Sequence, residues 1–288
     1  AAGYTYAHEH LHIDLSAFKG DIDCRHDQYA LIRDEMKALF ALGVRNIVDV
    51  TSRYMGRDAR VLLSLMQETG INVIAATGYY QHDFYPHGVA ESSARALADE
   101  MIAEIENGID GTLLKAGVIA EIGSSEGGIT DQEAKVFTAA AIAQQETGRP
   151  ISTHTSFSTM GVEQTRLLRR QGADLSRVVI GHCELRDNLD DIMKIIDAGA
   201  YVQFDTIGKN GYYPDEKRIA MLQALRQRGL LARVMLSMDI TRRSHLRANG
   251  GIGYGYLLTT FAPRLLASGF SPADLNTLLI ENPSRFFK

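Results

Sequence analysis

The sequence predicts a single (β/α)8 TIM barrel, and three observations carry that prediction. Eight short apolar runs alternate with longer amphipathic runs along the 288 residues. Glycine repeatedly stands just past the amphipathic runs, where a helix C-terminus needs a left-handed residue. The apolar runs are continuous rather than alternating, as in parallel strands covered by helices. An open doubly wound sheet is the competing architecture. Nothing like G-x-G-x-x-G follows the first run, which counts against it. With no linker, low-complexity tract or charge block, residues 1–288 read as one domain.

In chain order, Gly3 to His10 reads as the first strand, and Leu11 to Arg25 as a long connection. The spacing of Leu31, Met36, Leu39 and Phe40 predicts a helix over 26–42, stopped by Gly43. Val44 to Val50 is the second strand, followed by a helix over 58–69 and Gly70. Ile71 to Thr77 is the third strand, followed by Gly78-Tyr79-Tyr80 and a helix over 89–105. Ala116 to Ile122 is the fourth, with a helix over 131–147 and Gly148. Ile151 to Thr155 is the fifth, with a helix over 162–171 and Gly172. Val178 to His182 is the sixth, with a helix over 188–198 and Gly199. Tyr201 to Asp205 is the seventh, with a helix over 215–228 and Gly229. Val234 to Asp239 is the eighth, and a helical region runs from about Tyr256 to the end.

The composition is that of a globular enzyme, with 45% hydrophobic and 23% charged residues. A net charge of -5 argues against nucleic acid as a partner, because phosphate binders carry a basic excess. No run approaches the ~18 apolar residues of a membrane span. No signal segment is visible, although the chain starts without Met and a processed leader stays open. Cys24 and Cys183 do not make a disulfide framework, and two free thiols in a cytoplasmic protein are expected. A monomer or homodimer acting on a small molecule is the expectation.

The chemistry-bearing residues fall at the ends of the predicted strands. Side chains two apart on a strand share a face, so His8 and His10 aim at one point, as two imidazole ligands of one metal would. Glu9 points the other way, in a structural role. Glu121, His154, His182 and Asp239 come near the ends of strands four, five, six and eight. Catalytic residues of such barrels sit at that face. These residues are too many ligands for a single zinc, which usually takes about four. They suit two ions sharing a bridging carboxylate, Glu121, and a bridging hydroxide, between a His8/His10/Asp239 site and a His154/His182 site. Two divalent ions against those anions leave a positive site, which favours an electron-rich or anionic substrate. Cys183 follows His182 with the opposite strand parity and is not expected as a ligand. His12 reads as a residue beside the ligands or a loop residue, not a ligand, and His26 and His87 as surface.

This constellation resembles the phosphotriesterase family of the amidohydrolase superfamily. The resemblance covers essentially the whole chain and rests on His8-Glu9-His10, His154 within Ile151-Ser152-Thr153-His154-Thr155, Ile180-Gly181-His182 and Ser237-Met238-Asp239. It implies a zinc pair in a TIM barrel. It also implies a carbamylated lysine on strand four, and here the sequence departs. Lys115 precedes Glu121 by about 20 Å of strand, at ~3.3 Å per residue, and belongs at the opposite barrel end. Glu121 supplies a carboxylate of the same charge, and the change puts strong phosphotriester hydrolysis in doubt.

The expected reaction is hydrolysis of an ester, lactone, amide or phosphoester, with Asp239 accepting and passing on the proton. Two alternatives stand: a mononuclear amidohydrolase or deaminase, and a barrel whose zinc is only structural. Substrate-contact candidates are Tyr80, Lys209, Arg242 and Arg243, in the loops after strands three, seven and eight. The cationic, glycine-rich loop after strand eight either closes on an anionic group or is a solvated surface loop.

Overall fold

The protein is described by a computed structural model covering residues 2–288. Eight parallel strands follow one another around a barrel: β1 (Tyr4–Glu9), β2 (Val44–Asp49), β3 (Asn72–Thr77), β4 (Ala116–Ser124), β5 (Ile151–Thr155), β6 (Val178–Ile180), β7 (Tyr201–Phe204) and β8 (Val234–Leu236). The helices between them are α1 (Tyr29–Ala41), α2 (Ala59–Thr69), α3 (Ala94–Glu106), α4 (Asp131–Thr147), α5 (Gly161–Arg170), α6 (Leu189–Asp197) and α7 (Asp215–Gln227). Shorter helical turns from Leu257 to Phe286 finish the chain. A (β/α)8 TIM barrel is therefore the fold. Among the described residues, no helix is long and apolar enough to cross a membrane.

The ladder runs strand to strand from β1 to β8, and Glu9 clasps the remaining seam. Its buried carboxylate accepts from Ser237 Oγ (2.7 Å), Met238 N–H (2.8 Å) and Ile240 N–H (3.0 Å). His8 N–H donates to Ser237 Oγ at 3.1 Å, and Asp239 N–H to the His8 carbonyl at 3.3 Å. The outward parity of Glu9 thus serves the fold, while its neighbours serve the site.

Small and branched side chains fill the barrel interior, among them Val48, Ala76, Val118 and Ala120. Phe286 and Phe287 plug its lower end, with the Phe286 ring 5.1 Å from that of Tyr201. Burying Phe286 contributes about 1.5–3 kcal/mol. Outside, the apolar faces of the helices complete the main core against the strands. A buried guanidinium ties the β3 end to α3: Arg57 donates to the Ala76 carbonyl (2.7 Å) and is bidentate to both Glu104 and Asp110.

Several boundaries differ from the sequence expectation. The first helix starts at Tyr29 rather than residue 26, because Ile13–Asp14 pairs antiparallel with Arg25–His26 and folds the first connection over the barrel. His26 is consequently buried rather than on the surface, with Nε2 2.9 Å from the Tyr254 hydroxyl. The expected helix over 89–105 breaks into Gly88–Glu91 and α3, where Ser93 caps the new N-terminus by accepting from Ala96 N–H. Strands six, seven and eight each stop short of the residue expected to end them. His87 is exposed, as expected, and so is Lys115 at the start of β4.

Candidate active site at the barrel mouth

The six ligand candidates converge in one buried cluster at the C-terminal end of the barrel. Strand parity turns His8 inward on β1 and His10 just beyond it. His182 and Asp239 arrive differently. Each lies past its strand with positive φ, 53° and 51°, a conformation uncommon outside glycine. That backbone turn swings both side chains over the mouth. Gly181 makes the approach to His182 possible, since a Cβ there would lie 2.3 Å from the Thr153 carbonyl oxygen.

Glu121 sits at the centre. Its Oε1 is 3.0 Å from His154 Nδ1, 3.0 Å from His182 Nε2 and 3.4 Å from His8 Nε2. Its Oε2 is 3.9 Å from His10 Nε2. Asp239 Oδ1 lies 3.4 Å from His10 Nε2 and 3.6 Å from His8 Nε2. Two groups could each hold a cation, His8/His10/Asp239 and His8/Glu121/His182, with ligand atoms within 4.8 Å of one another. The first matches the expected triad. In the second, His8 takes the place expected of His154, which faces Glu121 from the outer side. His8 Nε2 belongs to both groups and is buried without a hydrogen-bond partner. A buried imidazole nitrogen without a hydrogen-bond partner, set among other imidazoles and carboxylates, fits a metal ligand.

The other imidazole nitrogens are fixed from behind. His10 Nδ1 lies 2.8 Å from Thr51 Oγ1, and His8 Nδ1 lies 3.2 Å from Gln203 Oε1. Asp205, fully buried, accepts from His182 Nδ1 at 2.7 Å and from the His182 N–H at 3.1 Å, and its Oδ2 is 3.3 Å from His8 Nδ1. Asp205, Gln203 and Thr51 are not among the residues expected from the sequence. Asp205 did carry a signal, as a carboxylate at the predicted end of strand seven.

The electrostatics follow from these contacts. Burial acts against charging His182, but Asp205 outweighs it and holds the imidazole well above its ordinary pKa. Burial likewise opposes charge on His8, yet Asp205 and Glu121 raise it to about 9. Burial would raise the Glu121 carboxyl; the facing His154 and His8 hold it well below the usual range. Asp239 is held low in the same way, against burial, by Lys209 and His10. The carboxylates are ionised and acceptor-rich, as a cation site requires.

Above the cluster opens a cavity of about 260 Å³. Ile13, Leu15, Cys24, Met55 and Tyr80 form an apolar wall on the β1 to β3 side. Lys209, Tyr212 and Arg242 stand on the β7 and β8 side. Tyr80 is anchored by its carbonyl, which accepts from Gly123 N–H at 2.6 Å, and its hydroxyl lies 3.4 Å from His154 Nε2. Lys209 is buried and donates to Asp239 Oδ2 (2.5 Å) and to the Asp239 carbonyl. The turn carrying it is pinned by Glu184, which accepts from both N–H and Oγ of Thr206 at 2.7 Å. Arg243 does not reach the cavity, contrary to its expected role. It pairs with Asp27 (2.7 Å) and the Arg25 carbonyl (2.6 Å), because the strand-one loop presents acceptors on that side. His12 Nδ1 is engaged by the Gly56 carbonyl at 2.8 Å. Cys24 and Cys183 are free and buried, and the Cys183 thiol donates to the Ile180 carbonyl, away from the cluster.

The model of the phosphotriesterase family matches residues 1–287. The phosphotriesterase homology protein of Escherichia coli is 69% identical over 286 residues, covering 99% of this chain and 98% of that protein. Its crystal structure, complexed with phosphate in the active site, superposes with a TM-score of 0.99 over 100% of this chain and 99% of that one. An aryldialkylphosphatase of Saccharolobus solfataricus is 33% identical, over 99% of this chain and 95% of its own. An N-acetyltaurine hydrolase of Dictyostelium discoideum is 34% identical, over 84% of this chain and 69% of its own.

Proposed function

This chain belongs to the phosphotriesterase family, and from that premise we propose that it is a binuclear zinc hydrolase of small anionic molecules carrying an ester, lactone, amide or phosphoester bond. A metal-dependent hydrolase acting on ester- or amide-type bonds is the part common to its relatives. The finer reading is supported by one observation: the Glu121 carboxylate stands between the two ligand groups, with Oε1 3.0 Å from His154 and His182 and Oε2 3.9 Å from His10.

His8, His10 and Asp239 would hold one ion, His154 and His182 the other, and Glu121 would stand between them. Histidine and carboxylate ligands suit zinc, and also manganese or cobalt. Bound divalent ions would supply a water of lowered pKa and polarise the oxygen of the scissile group. The chain supplies the rest. Asp239 has one oxygen toward the imidazoles and the other on Lys209. This fixes the carboxylate where it can accept the proton of the attacking water and hand it to the leaving group. Lys209, paired with Asp239, and Arg242, paired with Asp21, are the cations on the β7 and β8 side of the cavity, and the opposite wall would take an apolar portion. An amide with a sulfonate at its far end, such as the N-acetyltaurine in one relative's name, has this character.

Two of these relatives are named for hydrolytic activities, which disfavours a purely structural zinc barrel. The mononuclear alternative is separated by elemental analysis of wild type and Glu121→Ala. Two metals per chain, falling to one or none in the variant, are expected. One metal in both proteins refutes the Glu121 bridge.

A further inference from the structure

Arg242 occupies an unusual position for a residue that would meet an anion. It lines the cavity, yet its guanidinium is already engaged by carboxylates of the strand-one loop. NH1 donates to Asp21 Oδ2 at 3.0 Å and lies 3.5 Å from Asp23 Oδ2. Asp23 also accepts from Ser244 N–H (2.7 Å) and Ser244 Oγ (2.6 Å), so the loop after β8 is registered against the loop after β1. Next door, Arg243 is committed to Asp27 and the Arg25 carbonyl. The side chains of Arg242, Asp21 and Asp23 are 27%, 47% and 29% exposed, so this ion pair is solvated and exchangeable rather than locked.

We propose that Asp21 and Asp23 are specificity-determining residues: they hold Arg242 in a neutralised latch, and an anionic substrate group must displace these carboxylates to recruit it. The inference rests on the reading of the cavity as an anion site. A doubly charged oxyanion competes with two aspartates better than a single charge does, because its Coulomb attraction to the guanidinium is larger. The latch therefore discriminates by charge among molecules that fit the cavity equally well. Asp21 is the better of the two for a test. Its Oδ1 caps the Ile22–Cys24 turn by accepting from Asp23 N–H at 3.0 Å, a bond that asparagine keeps, while its Oδ2 alone serves Arg242.

The experiment is calorimetric titration of the metal-loaded protein with inorganic phosphate, at mildly alkaline pH and low salt. It uses wild type, Asp21→Asn, Arg242→Gln and the double variant, with metal content matched by elemental analysis. Arg242→Gln is expected to weaken phosphate binding. Asp21→Asn is expected to tighten it about two- to five-fold, the range of one exposed ion pair. That gain should vanish in the Arg242→Gln background and fade near ~1 M salt. Phosphate binding to Asp21→Asn that equals or falls below wild type overturns the latch. So does an equal gain in both backgrounds, which would be a field effect without competition. If Arg242→Gln weakens phosphate and Asp21→Asn brings no gain, the latch fails and the anion site stands. If Arg242→Gln leaves phosphate unaffected, both fail.

Discussion

Replacing Asp205 with asparagine is expected to loosen metal binding while leaving every proposed ligand in place. The carboxylate serves two imidazoles at once, 2.7 Å from His182 Nδ1 and 3.3 Å from His8 Nδ1, and it also accepts the His182 N–H at 3.1 Å. Asparagine has one acceptor oxygen where the carboxylate has two. Wherever that oxygen goes, its amide NH2 then faces another donor. Losing one such supporting contact typically lowers metal affinity about 10–100-fold, or about 1.4–2.7 kcal/mol. Because His8 and His182 both depend on Asp205, the upper end of that range is expected for the ion nearest His182. The assay is zinc competition against a chromophoric chelator at neutral pH, resolving the two binding steps, with circular dichroism to confirm an unchanged fold. Wild-type affinity at both steps would refute the assignment of Asp205 as the group that orients these imidazoles.

Asp239→Asn should retain most of its metal and lose about 10²–10⁴-fold in turnover, measured on any hydrolysed ester or lactone; unchanged turnover removes Asp239 from proton transfer. Glu9→Gln should cost about 1–3 kcal/mol in urea unfolding, since the amide places a donor against one of the three donors that Glu9 now receives. A denaturation midpoint equal to wild type would show that the β1–β8 seam closes without this clasp. The Arg57 network sets a pH dependence. Burial would raise the Glu104 and Asp110 carboxyls, but Arg57 holds both below their ordinary values. Acids depressed in the folded state stabilise it above their unfolded pKa values, about 4.3 for Glu104 and about 3.9 for Asp110, and that contribution is lost as pH falls through the lower folded values. Wild-type stability should therefore be flat from this source at neutral pH and decline below about pH 4. Arg57→Met should cost about 3–5 kcal/mol at neutral pH. Part of that should return toward about pH 4–5 as Glu104 protonates; a loss independent of pH would contradict the ion-pair account.

Local periodicity is legible in a single sequence, and what it reached and missed divides along that line. Eight apolar runs and their glycine stops lie within short windows, so the barrel and the strand-end positions of His8, His10, Glu121 and His154 could be read directly. His182 and Asp239 were expected to end strands six and eight, but β6 and β8 stop earlier and a left-handed turn does the placing. Strand parity alone would not have carried them there. Asp205 was invisible as a partner because its role is a relation between β7 and the turn after β6, not a pattern along either. His26 reads as surface in the sequence because a two-residue ribbon has no period to detect.

The two consecutive arginines make the same point at the mouth. Arg242 lines the cavity and Arg243 turns away, a difference decided by aspartates more than two hundred positions earlier in the chain. In a barrel, the first and last loops are neighbours only because the sheet closes. Contacts such as Asp21 to Arg242 and Glu9 to Ser237 are products of closure, and no window of sequence contains both partners. Residues that perform chemistry at strand ends are thus written into the repeat of the fold. The proposed latch is written into its seam, so under that proposal discrimination by charge can change at Asp21 or Asp23 while the proposed ligands stay the same.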